Sequence, residues 1–96
     1  MSTYRGQELV GRAWSYGVWE GCSVDRRIAD LEAEGDAIVT TQTNVMVPFC
    51  DGTELRGTRV IAVRFSRDEM RCYTNAERKA IVRDKADIYI RQALDF

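Results

Sequence analysis

The sequence predicts an α+β fold: N-terminal helical segments, a long bulged antiparallel β-hairpin, and a long C-terminal helix packed on the sheet. Three observations carry that expectation. Residues 37–49 are rich in Val and Thr and alternate at period two, and residues 59–65 repeat the alternation. Two helix-opening signatures then follow at Ser66 and Thr74. With 96 residues, 45% hydrophobic and 30% charged, the chain suits one globular domain over residues 1–96, near the lower size at which a core supports itself. No repeat, low-complexity tract or linker interrupts it, and the only proline is Pro48.

The N-terminal stretch supports two readings. Val10, Trp14 and Val18 recur at helical spacing, and Glu8 with Arg12 makes an i,i+4 pair, which favours a helix to about Tyr16. Gly11 and Gly17 weaken a helix, however, and Trp14, Tyr16 and Val18 also alternate as a strand would. A third strand over residues 12–20 would help, because a lone hairpin is only marginally stable in water. The next helix is clearer. Ser23 caps it, Asp25 favours its first turn, Ile28 and Leu31 supply its buried side, and Gly35 ends it.

In the hairpin, Val39, Thr41, Thr43, Val45, Val47 and Phe49 form one face, and Ile61, Val63 and Phe65 form its counterpart. Asp51-Gly52 suits a type I′ turn. A two-residue turn there pairs Cys50 with Thr53, which sets Val39 against Arg64 and mismatches the apolar faces. One extra residue in the second strand restores Val39 opposite Phe65 and Thr41 opposite Val63. Gly57 lies where the insertion belongs, so a bulge is expected near it. Ser66 and Glu69 then match a capping box that opens a short helical turn through Arg71. Thr74 and Glu77 match a second, which opens a helix to about Leu94.

Composition excludes several chemistries. The chain has no histidine, so imidazole triads, imidazole acid–base catalysis and His-ligated metals are out. A formal charge of -1 excludes a surface that grips DNA by charge alone. The longest apolar run is residues 60–63, far short of the roughly 20 residues of a membrane helix. The first eight residues contain no apolar stretch of a secretory signal, so a cytoplasmic location, in a bacterium or a phage-infected cell, is expected. Cys22, Cys50 and Cys72 are too widely spaced for a zinc knuckle and odd in number, so buried, reduced thiols are expected. Cys22 before a helix N-terminus would have only Lys79, Lys85 or a carboxylate as its base. Phosphate-binding glycine loops are absent. Asp84 and Asp87 sit within a self-paired series of Lys79, Arg83, Asp87 and Arg91, a solvated helix face rather than a metal site. No catalytic residue, cofactor or metal is therefore assigned.

Four groups of residues are candidates for binding. Asp30, Glu32, Glu34 and Asp36 crowd a helix C-terminus, where the macrodipole disfavours anions. Either arginines elsewhere in the fold neutralise the run, or it faces a basic partner. On the terminal helix, Val82, Ala86, Tyr89, Ile90 and Ala93 gather as a core face, while Ile81 and Ile88, beside Lys85, form a second apolar face suited to an interface. Arg56, Arg59, Arg64, Arg67 and Arg71 could form a basic stripe for RNA or DNA, although arginine also guards exposed sheet edges. Trp14, Tyr16 and Trp19 could line a pocket between subunits, but aromatics of a small domain more often fill its core. Basic residues divide into 12 Arg and 2 Lys, which hints at a bacterial or phage source.

The expectation from these features is a small non-enzymatic protein-binding module. A larger protein or protein complex is its partner, through Asp30, Glu32, Glu34, Asp36, Ile81, Lys85 and Ile88, with a homodimer as a further possibility. A phage-encoded inhibitor of a bacterial defence complex, an anti-CRISPR-type role, fits that size and class. The alternatives are a nucleic-acid-binding or regulatory module using the arginine stripe, and a small oligomeric enzyme or ligand-binding protein with an inter-subunit pocket. Nucleic acid is the less favoured partner, and no membrane association is expected.

Overall fold

The computed structural model describes residues 9–94. Its elements are β1 (Arg12–Trp19), α1 (Val24–Ala33), β2 (Ala37–Pro48), β3 (Glu54–Arg64), α2 (Arg67–Cys72), α3 (Asn75–Asp84) and α4 (Ala86–Leu94). The strands form one antiparallel sheet in the order β1-β3-β2, and helices lie on both of its faces, so the α+β class holds.

The apolar run Val60, Ile61, Ala62 and Val63 explains the layering. All four have zero exposure, because β3 is the central strand and both faces are covered. Ile61 and Val63 pack with Val82, Tyr89 and Ala93 of α3 and α4. Val60 and Ala62 pack with Leu31 of α1 and Val18 of β1. A central strand needs backbone partners on both sides. That requirement settles the N-terminal ambiguity in favour of a strand. Residues 12–19 are β1, not a helix to Tyr16, and the Trp14, Tyr16, Val18 alternation was the informative pattern. Gly11 stops any helix through this stretch: its φ is +76°, and a Cβ there would lie 2.7 Å from Val63 Cγ1. The expected Glu8–Arg12 pair involves Glu8, which lies outside the described residues.

The hairpin is long and bulged, but the irregularities sit elsewhere. Ala37 pairs with Val63, Thr40 with Ile61 and Val45 with Gly57, so the register slips between Ile38 and Thr40 and again between Gln42 and Val45. Both slips belong to β2 rather than to β3, and the second coincides with Asn44 at φ 59°. Val39 therefore does not face Phe65, nor Thr41 Val63. The turn is also longer than two residues. Phe49 N–H donates to Thr53 O at 2.7 Å and Gly52 N–H to Phe49 O at 3.1 Å, leaving Cys50, Asp51 and Gly52 as a three-residue loop with Gly52 at φ +91°. Asp51 accepts from the Thr53 N–H and hydroxyl, and these bonds hold its carboxyl below the usual value. Gly57 has a different reason to be glycine. A Cβ there would collide with Val18 O and lie 2.6 Å from Trp19 Cα, so only glycine lets β1 approach.

The helix signals are realised closely. Ser23 accepts from Arg26 N–H at 3.1 Å, and Gly35 adopts φ +95° after α1. Ser66–Glu69 and Thr74–Glu77 both form complete capping boxes. The terminal helix is not continuous, however: Lys85 leaves helical geometry at φ -114°, ψ 28° and separates α3 from α4. Neither Gly nor Pro marks this break. It lets α3 lie against β2 while α4 turns onto β1. Side chains from α2 and α4 then cap the start of β1. Glu69 Oε2 accepts from Gly11 N–H at 2.7 Å, Gln92 Oε1 accepts from Ala13 N–H at 2.6 Å, and the Tyr89 hydroxyl donates to Val10 O at 2.5 Å. Burial of Glu69 opposes its ionisation, but the Ser66 and Gly11 N–H groups outweigh it and hold the carboxyl below its usual value. Arg78 is buried too. It stands over the Phe65 ring and donates to Met70 O at 3.2 Å and to Tyr73 O, tying α2 to α3.

Candidate functional site

The acidic run does not form a single patch. Asp36 is buried, and Arg64 grips its carboxylate in a two-pronged contact, Nε to Oδ1 at 3.0 Å and Nη2 to Oδ2 at 3.2 Å. The same Nη2 reaches Glu34 Oε1 at 3.1 Å. Arg64 therefore neutralises the end of the run from inside the fold. Reversing the charge of Asp36 would strike this ion pair, whose carboxylate end is buried and whose Arg64 end is half-exposed, before any surface. Asp30 and Glu32 are exposed on α1, and they border different depressions.

The second apolar face on the terminal helix is divided by the break at Lys85. Ile81 packs against the α3/α4 core, and Ile88 stays 42% exposed. Arginines of the basic stripe diverge as well. Along β3, alternate residues face opposite sides of the sheet. Arg56 and Arg64 share one side, and Arg59 takes the other, donating to Gln42 Oε1 at 2.9 Å. Arg56 donates to Asn44 Oδ1 at 2.5 Å, while Arg67 and Arg71 stand exposed on α2.

Cysteine placement departs from the expected buried thiols. Cys22, Cys50 and Cys72 are all free and exposed, because each falls in a turn, a loop or a helix end, where the chain runs along the surface. Among the described residues, no group of three or more potential ligands could hold a metal ion, and no helix is long and apolar enough to cross a membrane.

The aromatic trio departs most from a core role. Trp14 is 46% exposed and Trp19 41%, since both stand on an edge strand. Arg12 covers the Trp14 ring with its guanidinium 4.8 Å from the centroid. Tyr16 is half-buried against the α1 core, and that burial raises its hydroxyl pKa, with Arg64 opposing. Trp19 stacks on Phe49, with ring centroids 4.6 Å apart and planes at 28°. The hairpin end bends far enough to bring Phe49, 30 residues away in sequence, onto β1. Gly17 permits this, because a Cβ there would lie 2.9 Å from Val47 Cβ.

Beside the stack lies a cleft of about 470 Å³. Gly17, Val18 and Trp19 of β1 line it, with Ser23, Arg26, Arg27 and Asp30 on one side and Val47, Pro48 and Phe49 on the other. Cys22 also borders it, and its sulfur accepts from the Trp19 indole N–H. Of this set, the sequence marks Trp19 and Asp30 as binding candidates, Cys22 as a candidate thiol, Ser23 as a cap, and Val47 and Phe49 only as part of a hairpin face. Arg26 and Arg27 carry no signal there, and nothing local to the hairpin brings Phe49 onto β1.

Compared with known proteins, the chain matches no family model, no curated protein and no solved structure.

Proposed function

We propose that this chain is a small non-enzymatic protein-binding module that engages a larger protein through the Trp19–Phe49 end of its sheet. The observation that carries the reading is the stacked, exposed aromatic pair beside an open cleft. Aromatic rings with arginines nearby are the side chains that concentrate binding energy at protein interfaces. Arg26 and Arg27 supply the second half of that chemistry. The arginines of the stripe converge on no comparable surface. An inhibitor that covers a site on a bacterial defence complex, acting in the cytoplasm, is the setting that suits such a chain.

The test is affinity capture from nuclease-treated bacterial lysate, with wild type and a Trp19→Ala, Phe49→Ala variant compared side by side. One dominant protein complex retained by wild type and lost by the variant, at an unchanged melting temperature, is the expected result. An empty capture, or one that disappears with nuclease, overturns the reading.

A further inference from the structure

We infer that β1 accepts an extended, acidic segment of a partner protein as a fourth strand along its outer edge. This deepens the protein-binding reading and rests on it. In an antiparallel pair, alternate residues direct both N–H and C=O towards the partner, and those between direct them away. The β1–β3 register is regular from Arg12↔Arg64 to Trp19↔Gly57. Ala13 donates outward to Gln92, and Glu20 donates inward to Arg56 O at 2.9 Å. The odd residues therefore face outward: Ala13, Ser15, Gly17 and Trp19. Ala13 N–H is occupied by Gln92, and Trp19 C=O accepts from Cys22 N–H at 3.1 Å. Among the described residues, no strand pairs with the outer edge, so the N–H and C=O of Ser15 and Gly17 and the N–H of Trp19 stand open. Ser15 and Gly17 are both exposed.

That open run coincides with the cleft, which Gly17, Val18 and Trp19 line. A strand laid there gains main-chain hydrogen bonds from the edge and places alternate side chains against Val47 and Phe49 or against α1. Charge selects the occupant. Arg26 and Arg27 line the cleft against a single carboxylate, Asp30, and among the described residues neither arginine forms an ion pair. An acidic segment complements them. A second copy of this chain, paired through Gly17, would instead bring its own Arg26 and Arg27 to the same place.

The experiment titrates the full chain, labelled with ¹⁵N, with the capped peptide acetyl-Val-Glu-Val-Glu-Val-amide and with its Lys-for-Glu counterpart. Amide shifts centred on Ser15, Gly17 and Trp19 with the acidic peptide, and none with the basic one, are expected. Ser15→Pro removes an outward N–H, a change that edge strands tolerate, and is expected to weaken binding at least tenfold. Arg26→Glu with Arg27→Glu changes only exposed helix positions and is expected to weaken it about fivefold. Shifts elsewhere, equal binding of both peptides, or no shift at millimolar peptide would overturn the inference. So would a concentration-dependent dimer that Ser15→Pro abolishes. If lysate capture survives Ser15→Pro yet fails with Trp19→Ala and Phe49→Ala, strand addition falls while the protein-binding reading stands.

Discussion

The two edges of the sheet are built on opposite principles. β2 carries two register slips, a residue at positive φ in Asn44, and Pro48 at its end. Each of these disrupts the flat ladder that another strand would need, and together they are the usual means by which a protein closes an edge. β1 has none of them. Its pairs run without a slip, and its protection consists of side chains from Glu69, Tyr89 and Gln92 at the N-terminal end and of the Cys22 N–H on Trp19 O at the other. The same irregularities that close β2 also bend the hairpin until Val47 and Phe49 reach Gly17 and Trp19. One edge is closed in a way that furnishes a wall for the other.

The largest way to break this contrast is to remove β1 from the sheet. Gly57→Ala would drive a methyl group into Val18 O and against Trp19 Cα, and backbone cannot yield as a flexible side-chain tip can. Overpacking of this kind costs about 3 kcal/mol. Chemical denaturation should show that loss. Amide exchange should quicken along residues 12–19 and leave the β2–β3 ladder comparatively protected. A loss spread evenly over both ladders would mean that the edges are not independent.

How far the two edges were legible in the sequence follows the same division. The caps at Ser23, Ser66 and Thr74 depend on residues three apart, and all three appear as read. Gly57 and Gly11 stood out as glycines, but their cause is the close approach of distant segments, which local reading turned into a bulge and a helix interruption. The slips in β2 accompany a β3 that is buried on both faces, a condition that no hairpin considered alone imposes. For the candidate site, Trp19 was visible as an aromatic of uncertain placement, whereas its contact with Phe49 depends on those slips. Asp36 and Arg64, flagged for two different partners, are partners of each other. Charge patterns record that a residue needs a counter-ion without recording where it is.

A smaller effect is expected where the helices cap β1. Tyr89 has no exposed surface, and its hydroxyl pKa is pushed up to about 12, chiefly by burial, with the Glu69 carboxylate adding to the rise. The folded state thus holds the phenol neutral more firmly than the unfolded chain, whose tyrosine titrates near pH 10. The associated stability is fully present below pH 10 and is lost as pH climbs from 10 towards 12, by at most about 2–3 kcal/mol. Tyr89→Phe should remove most of that alkaline loss while lowering stability at neutral pH by about 1 kcal/mol. Identical alkaline melting curves for the two proteins would show that ionisation elsewhere governs the loss.

The smallest change sharpens the contrast rather than breaking it. Gln92 reaches from α4 to the Ala13 N–H, the last outward donor that is covered before the open run begins at Ser15. Gln92→Ala removes one hydrogen bond at a partly exposed position, which costs about 0.5–1 kcal/mol. Water can replace the amide, so the strand should stay in place, and the melting temperature should fall only slightly. Exchange at the Ala13 amide should nevertheless rise towards that of Ser15 and Gly17, because its N–H would have lost the Gln92 acceptor. If the open edge takes a strand, the variant offers it one more donor, and the acidic peptide should bind somewhat more tightly than to wild type. Slow exchange at Ala13 in the variant would mean that α4 shields the edge by its backbone and bulk. The division between a capped and an open half of β1 would then belong to the helix rather than to one side chain.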